Sequence, residues 1–324
     1  METGLVIGKF MPPHNGHVAL VKFAAGRCDR LIVLVGARQG EPIPGPLRRE
    51  WMRQVFSGHP NISIEYTDDD LPDSAESSRS VSKAWAEYLL GRFPGVSVIF
   101  SSETYGDYLA EYMNIRHVPF DPGRKGVAIS GREIRANPLK YWEHIPEKVR
   151  PFFVKKVCVY GPESTGKTVL TEYLARYFST AFVPEMARVH LGDRQVVEPD
   201  MPVIAGLHAR EILARVVEAN RILFVDTDHL TTRIYWRHFF GRALEFPGWI
   251  HEANTFDLYL LLDIDVPWVA DPQRYSEDCR EEHMNQFRRE LDNAGIEYVT
   301  VRGSWEERNR AAVWAVLDRW PELG

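Results

Sequence analysis

Apolar positions along the chain fall into two kinds of pattern, short apolar-rich runs and stripes of helical spacing, and the two kinds alternate. Leu5 to Phe10, Leu31 to Val35, Val96 to Phe100, Val154 to Tyr160, Ile222 to Asp226 and Leu258 to Leu262 are runs of strand length. Apolar on both faces, they suit strands inside a parallel sheet. Ile62, Ile64 and Tyr66 alternate as a further strand, and Arg116 to Phe120 and Ile296 to Val301 complete the set. Between them lie helical stripes: Val18, Val21, Ala24 and Ala25; Leu47, Trp51, Met52, Val55 and Phe56; Val81, Trp85 and Leu89; and Tyr105 to Met113. The second half repeats the alternation with Leu170, Tyr173, Leu174, Tyr177 and Phe178, then Val203 to Glu218, Leu230 to Phe240, Phe287 with Leu291, and Ala311, Trp314, Ala315 and Leu317. Strands alternating with helices predict an α/β fold with doubly wound parallel sheets.

Prolines 138, 146 and 151 interrupt this alternation near the middle, around an apolar patch of Tyr141, Trp142 and Ile145. They mark a seam, and 324 residues suffice for a core on each side of it. The expected domains are 1–150 and 151–324, each a doubly wound parallel sheet. Composition adds exclusions. A formal charge of -6 gives no footprint for nucleic acid, and no apolar stretch approaches membrane-spanning length or a signal peptide. Cys28, Cys158 and Cys279 stand far apart, as buried thiols of a reducing, cytoplasmic compartment would. The sequence is compatible with a homo-oligomer and does not specify one.

The sharpest chemistry is Gly161-Pro-Glu-Ser-Thr-Gly-Lys-Thr168, a full GxxxxGK[ST] match between a predicted strand and a predicted helix. Backbone N–H groups of Gly161, Glu163, Ser164, Thr165 and Gly166 are expected to cradle phosphates of ATP. Lys167 would reach the outer phosphates, and the Thr168 hydroxyl would ligate Mg2+. Ile222 to Asp226 is an apolar strand ending in a carboxylate, so Asp226 is the second Mg2+ candidate. Asp228 beside it reads either as a site residue or as the cap of the following helix. Arg274 and Arg280 are lid candidates over the phosphates, or alternatively part of a solvated helix start.

In the first half, Met11-Pro-Pro-His-Asn-Gly-His17 leaves the end of a strand and opens a helix. There His14 and His17 suit a polyphosphate, the alternative being half a zinc site for which no third ligand follows. Ser130 and Glu133 are spaced as a capping box, and the same helix start, with Arg132 and Arg135 beside it, reads equally as a second anion site. Asp68 to Asp70 reads as a solvated loop, with a Mg2+ role as its alternative.

These residues carry a resemblance. GKFMPPHNGH with ISGREIR resembles the paired signatures of the nucleotidyltransferase superfamily. The segments Glu41 to Trp51, Ser101 to Gly106 and Asp121 to Arg124 are similar to the nicotinamide mononucleotide (NMN) adenylyltransferase half of NadR-type bacterial proteins. Arg132 stands where that pattern has threonine. The stretches around the glycine-rich loop, VPEMAR, FVDTD and DLYLLLDIDVPWVADPQR resemble the ribosylnicotinamide kinase half of the same family, with Met186 in place of tyrosine and Pro272-Gln273 in place of Gly-Leu. The resemblance implies a Rossmann-like HxGH transferase domain followed by a P-loop kinase domain, together making NAD from nicotinamide riboside and ATP. It implies that Gly8, Lys9, Phe10, His14, His17, Asp121, Arg124, Ser130, Arg132 and Arg135 bind ATP, with Arg48, Trp51 and Trp85 on NMN. Glu185, Arg188, Asp228 and Trp268 would then bind the riboside, and Arg280 would close over the phosphates. A tryptophan face suits the cationic nicotinamide ring, Trp51 and Trp85 being the candidates, with a core position as the alternative for each and the better one for Trp85. The DNA-binding module that some members carry in front is expected to be missing. Two other readings stay open: a kinase joined to a transferase of different acceptor specificity, and a regulator that senses ATP and NAD without turnover.

Overall fold

A computed structural model describes residues 1–73, 78–123, 125–192, 194–269 and 277–324, and within these the chain forms two compact units, Met1–Arg150 and Pro151–Gly324. In the first unit the elements run β1 (Thr3–Gly8), α1 (Asn15–Ala25), β2 (Arg30–Gly36), α2 (Gly45–Val55), β3 (Ile62–Thr67), α3 (Arg79–Arg92), β4 (Val98–Ser101), α4 (Tyr105–Met113), β5 (Arg116–Pro119) and α5 (Gly131–Ala136). The strands form one parallel sheet in the order β3-β2-β1-β4-β5. Because the winding reverses between β1 and β4, the loops after these two strands diverge and leave a crevice at their carboxyl ends. Apolar layers cover both faces: Val6, Val33, Val35, Met52 and Phe100 on one, Leu5, Leu34, Ile99, Leu89 and Leu109 on the other. Two-sided burial is why Leu31 to Val35 of β2 reads as an unbroken apolar run.

The proline-punctuated segment belongs to this first unit as far as Arg150, and Pro151 begins the second. Leu139, Trp142, Ile145 and Val149 are buried, and Asn15 Nδ2 donates to the carbonyl of Glu143 at 2.9 Å, fastening the segment to the start of α1.

The second unit runs β6 (Lys155–Tyr160), α6 (Lys167–Tyr177), β7 (Phe182–Val183), α7 (Met186–Leu191), α8 (Asp200–Arg215), β8 (Ile222–Asp226), α9 (His229–Phe240), α10 (Gly248–Ala253), β9 (Leu258–Leu262), α11 (Arg280–Asn293), β10 (Tyr298–Val301) and α12 (Trp305–Arg319). Its sheet is also parallel, in the order β10-β9-β6-β8-β7. Strand β6, which feeds the glycine-rich loop, lies directly beside β8, which ends in Asp226, with Val159 in register with Asp226.

Three short elements escape the periodicity argument: β7, α7 and α10 are too brief to show a period. The face of α12 also needs correcting. The sequence stripe places Trp314 inward, yet Trp314 is 67% exposed and the buried positions are Arg308, Ala312, Ala315 and Val316. The buried face runs through a hydrogen-bonded arginine, Arg308, which an apolar count does not score. Tyr177 is likewise exposed rather than inward.

Candidate active sites

The first site is built on the turn from β1 into α1. His14 caps α1, its Nδ1 accepting the Gly16 N–H at 3.1 Å, while His17 Nδ1 accepts the His14 N–H at 3.3 Å. The HxGH spacing is therefore a capping box made of two histidines. Each ring accepts at Nδ1, which puts the proton of the neutral imidazole on Nε2, the form that donates to a phosphate oxygen. The rings stack with centroids 3.7 Å apart. This geometry favours the polyphosphate reading over zinc: among the described residues no group of three metal-ligating side chains occurs.

A cavity of about 470 Å³ opens there, and Gly8, Lys9, Phe10, His14, His17, Asp121, Ser130 and Trp85 all line it. Ser130 caps α5 in the expected box, with Glu133 accepting the Ser130 N–H at 2.9 Å. Asp121 accepts N–H groups of Lys125 and Gly126, both at 2.8 Å, which hold its carboxyl below the usual range. It is thus a fixed anion, suited to hydroxyl groups rather than phosphates. Asp69, in the acidic loop, accepts the Thr67 and Tyr88 hydroxyls at 2.6 Å and lines the cavity as well.

Other expected residues sit behind the wall rather than on it. Arg48 is fully buried and donates to the carbonyls of Lys9 and Gly36 and to Glu41, while Lys9 Nζ lies 3.4 Å from Glu41 and also pairs with Asp73. Arg48 does not line the cavity; it fixes the loop that presents Lys9. Arg135 donates to the carbonyl of Met11, tying α5 to the histidine turn, and neither it nor Arg132 is a lining residue. The two tryptophans exchange the expected places. Trp51 is buried off the cavity, whereas Trp85 lines it, held by Nε1 donating to the Pro72 carbonyl at 3.0 Å. Arg124 lies outside the described residues.

Sequence reasoning missed the strut behind Ser102, Glu103 and Tyr105, which also face the cavity. His117 lies 3.0 Å from Ser101 Oγ through Nε2 and 2.7 Å from Asp107 through Nδ1. The order of groups is that of a hydrolase triad, but Ser101 is fully buried and donates to the Glu103 carbonyl at 2.8 Å. The chain of bonds holds a loop; it presents no nucleophile.

In the second site Gly166 has φ +85 as the residue before α6, a left-handed conformation that glycine adopts at little cost. Lys167 Nζ donates to the Pro162 carbonyl at 3.0 Å, and the Thr168 hydroxyl donates to Asp226 Oδ2 at 2.6 Å. Asp226 is fully buried with its Oδ1 unpartnered. Burial, and next the field of Glu185, push its carboxyl up. A buried carboxylate with an orphaned oxygen beside a hydroxyl is a donor set that fits a hard cation such as Mg2+.

Next to the loop is a cavity of about 830 Å³, lined by Glu163, Ser164, Thr165, Gly166, Lys167, Thr168, Glu185, Arg188 and Asp228. Glu185 and Arg188 pair at 3.4 Å. Asp228 serves both of its alternative readings: it lines the cavity and caps α9, accepting the Thr231 N–H at 3.1 Å and the Tyr259 hydroxyl at 2.9 Å. Burial nevertheless raises its carboxyl to about 6. Gly161, Asp226, Trp268 and Arg280 do not line this cavity. Arg280 Nη2 donates to the Ser164 carbonyl at 3.2 Å, with its guanidinium 5.7 Å from the Trp268 ring centroid. It reaches the phosphate loop from the start of α11. Arg274, Asp271, Pro272 and Gln273 lie outside the described residues.

The far wall was not legible. His208, His229, Thr232, Tyr235, Phe239 and Phe240 line it from α8 and α9. In the sequence these helices show only core periodicity. His208 Nε2 lies 3.2 Å from the Asp226 carbonyl, and burial lowers its imidazole to about 4.

Comparison with known proteins agrees with this geometry. Residues 156–308 match the model of the AAA domain. The trifunctional NAD biosynthesis/regulator protein NadR of Escherichia coli (strain K12) is 34% identical, the match covering 92% of this chain and 78% of that one. Crystal structures of NadR protein in complex with NR, and with NAD and AMP-PNP, share the fold at TM-scores of 0.81 and 0.80, with 23% and 24% identity over 98% of this chain and 95% of each of theirs. The chain belongs to the NadR family.

Proposed function

We propose that this chain is a bifunctional enzyme of NAD salvage. The 151–324 unit phosphorylates nicotinamide riboside with ATP to NMN, and the 1–150 unit joins NMN to the adenylyl group of a second ATP, releasing pyrophosphate. The observation that carries the reading is the pair of phosphate cradles, each at the carboxyl end of the central strand of its own sheet. A NadR relative in which the match spans most of both chains supports it.

Both steps are displacements at phosphorus, so positioning and charge neutralisation supply the catalysis and no covalent nucleophile is needed. In the first unit His14 and His17 donate to the triphosphate beside the Ser130-capped start of α5, Lys9 offsets its charge, and Trp85 offers its face to the nicotinamide while the NMN phosphate oxygen attacks the α-phosphorus of ATP. Arg48 and Arg135 act through the loops they hold. In the second unit the 161–168 loop and Lys167 hold the β- and γ-phosphates, and Glu185, Arg188 and Asp228 orient the riboside. Thr168 and Asp226 would hold Mg2+, which supplies neutralisation of charge on the phosphates. Among the described residues no helix is long and apolar enough to cross a membrane. We place the activity in the cytoplasm, with small molecules rather than nucleic acid as ligands.

Product analysis tests the reading. Purified protein with ATP, Mg2+ and nicotinamide riboside should yield NAD by way of NMN. Failure to form NMN from the riboside removes the kinase half, and failure to convert added NMN removes the transferase half.

A further inference from the structure

A kinase needs a donor site and an acceptor site that meet at the phosphate loop. If the proposed kinase reading holds, the 830 Å³ cavity takes the acceptor and, along its 163–168 wall, the donor's phosphates, and the base of the donor nucleotide needs a surface beyond them. Trp305, the first residue of α12, is not part of that cavity. Its ring stands against Gly166 so closely that a methyl group there would collide with the ring edge. Yet 49% of its surface remains exposed.

The placement of this half-exposed ring is fixed with unusual care. Arg308, buried on the same helix, donates to the carbonyls of Thr165 at 2.7 Å, Asp263 at 2.7 Å and Gly303 at 3.0 Å. One guanidinium therefore bridges the phosphate loop and the turn that carries Trp305. Its Cζ lies 5.9 Å from the Trp305 ring centroid. Ser304 and Glu307 close a capping box around the same turn, with the Ser304 N–H donating at 2.8 Å. A core tryptophan would be covered, and a merely superficial one would not be locked to a catalytic loop by a buried cation. A half-exposed aromatic ring held at fixed distance from a phosphate loop is what a nucleobase can stack on.

We propose that Trp305 is the stacking platform for the purine base of the phosphoryl-donor ATP, with Arg308 as the positioning residue that sets its distance from the phosphate loop. Trp305→Leu keeps apolar contact with Gly166 but removes the π-face, and Trp305→Phe keeps a smaller one. With riboside saturating, Trp305→Leu should raise the KM for ATP on the order of 10-fold. Trp305→Phe should recover most of that loss, while kcat, the KM for riboside and NMN adenylylation stay unchanged. The same ranking should appear in ATP affinity measured by calorimetry in a His17→Ala background, which weakens the first-unit site. An unchanged KM and affinity in Trp305→Leu would overturn the platform. So would an equal fall of kcat in both variants with the KM for ATP unmoved, because then the ring only props the loop. If the wild type binds ATP through Trp305 but phosphorylates no riboside, the platform stands and the function proposed for the unit fails.

Discussion

His14 and His17 cap each other at the start of α1, and this mutual capping, which sets their tautomers, is not carried by the HxGH spacing alone. Arg48 and Trp51 could not be told from ligands because a buried cation with carbonyl partners and a core tryptophan look the same in a string of letters as their exposed counterparts. The structure separates the tryptophans, so Trp85→Leu should raise the KM for NMN roughly 2- to 30-fold, the range for losing a cation–π face, while kinase activity is retained. Trp51→Leu should leave that KM unchanged and lower the melting temperature instead. Equal KM effects in both variants would contradict the assignment. A pH effect belongs at this scale too. Burial, and next the neighbouring His251, lower His229 from the ordinary value of 6.5 to about 3. The unfolded chain then binds the extra proton between those values, so the stability His229 contributes is complete above about pH 6.5, declines as pH falls, and levels off near 3. The limiting slope is about 1.4 kcal/mol per pH unit, and His229→Asn should flatten it in denaturation curves taken across this range.

At the scale of elements, long strands and helices were legible because each buries a continuous face, and the short β7, α7 and α10 were not. The register of α12 was misread for a physical reason: hydrogen bonds to three carbonyls make Arg308 a better inward residue than Trp314, and hydrophobicity does not score them. The phosphate loop carries the firmest element-level prediction. Gly166 is in the left-handed region at φ +85 and has no room for a side chain beside Trp305. Gly166→Ala therefore meets both backbone strain, about 1–2 kcal/mol, and a steric clash. Kinase turnover should fall by at least tenfold with NMN adenylylation intact. Wild-type kinase rates in Gly166→Ala would show that the loop tolerates rearrangement.

For the whole molecule, the proline seam and the change of motif across it predict two domains, and the structure forms two parallel sheets, with the histidine turn and the glycine-rich loop each following the central strand of its sheet. What the sequence withheld was the far wall of the second cavity, because His208 and Tyr235 interrupt helices whose other positions read as ordinary core. The central claim is that each unit neutralises its own triphosphate. Removing one preorganised charge-stabilising group costs on the order of 10²–10³ in rate, about 3–4 kcal/mol, and distant sites couple weakly. The most direct test is to assay His17→Ala and Lys167→Ala, each checked by melting for an intact fold, with NMN and with nicotinamide riboside. The account predicts that His17→Ala loses adenylyl transfer and keeps riboside phosphorylation, and that Lys167→Ala does the reverse. Equal loss of both activities in either variant would contradict it, because one composite site would then perform both steps.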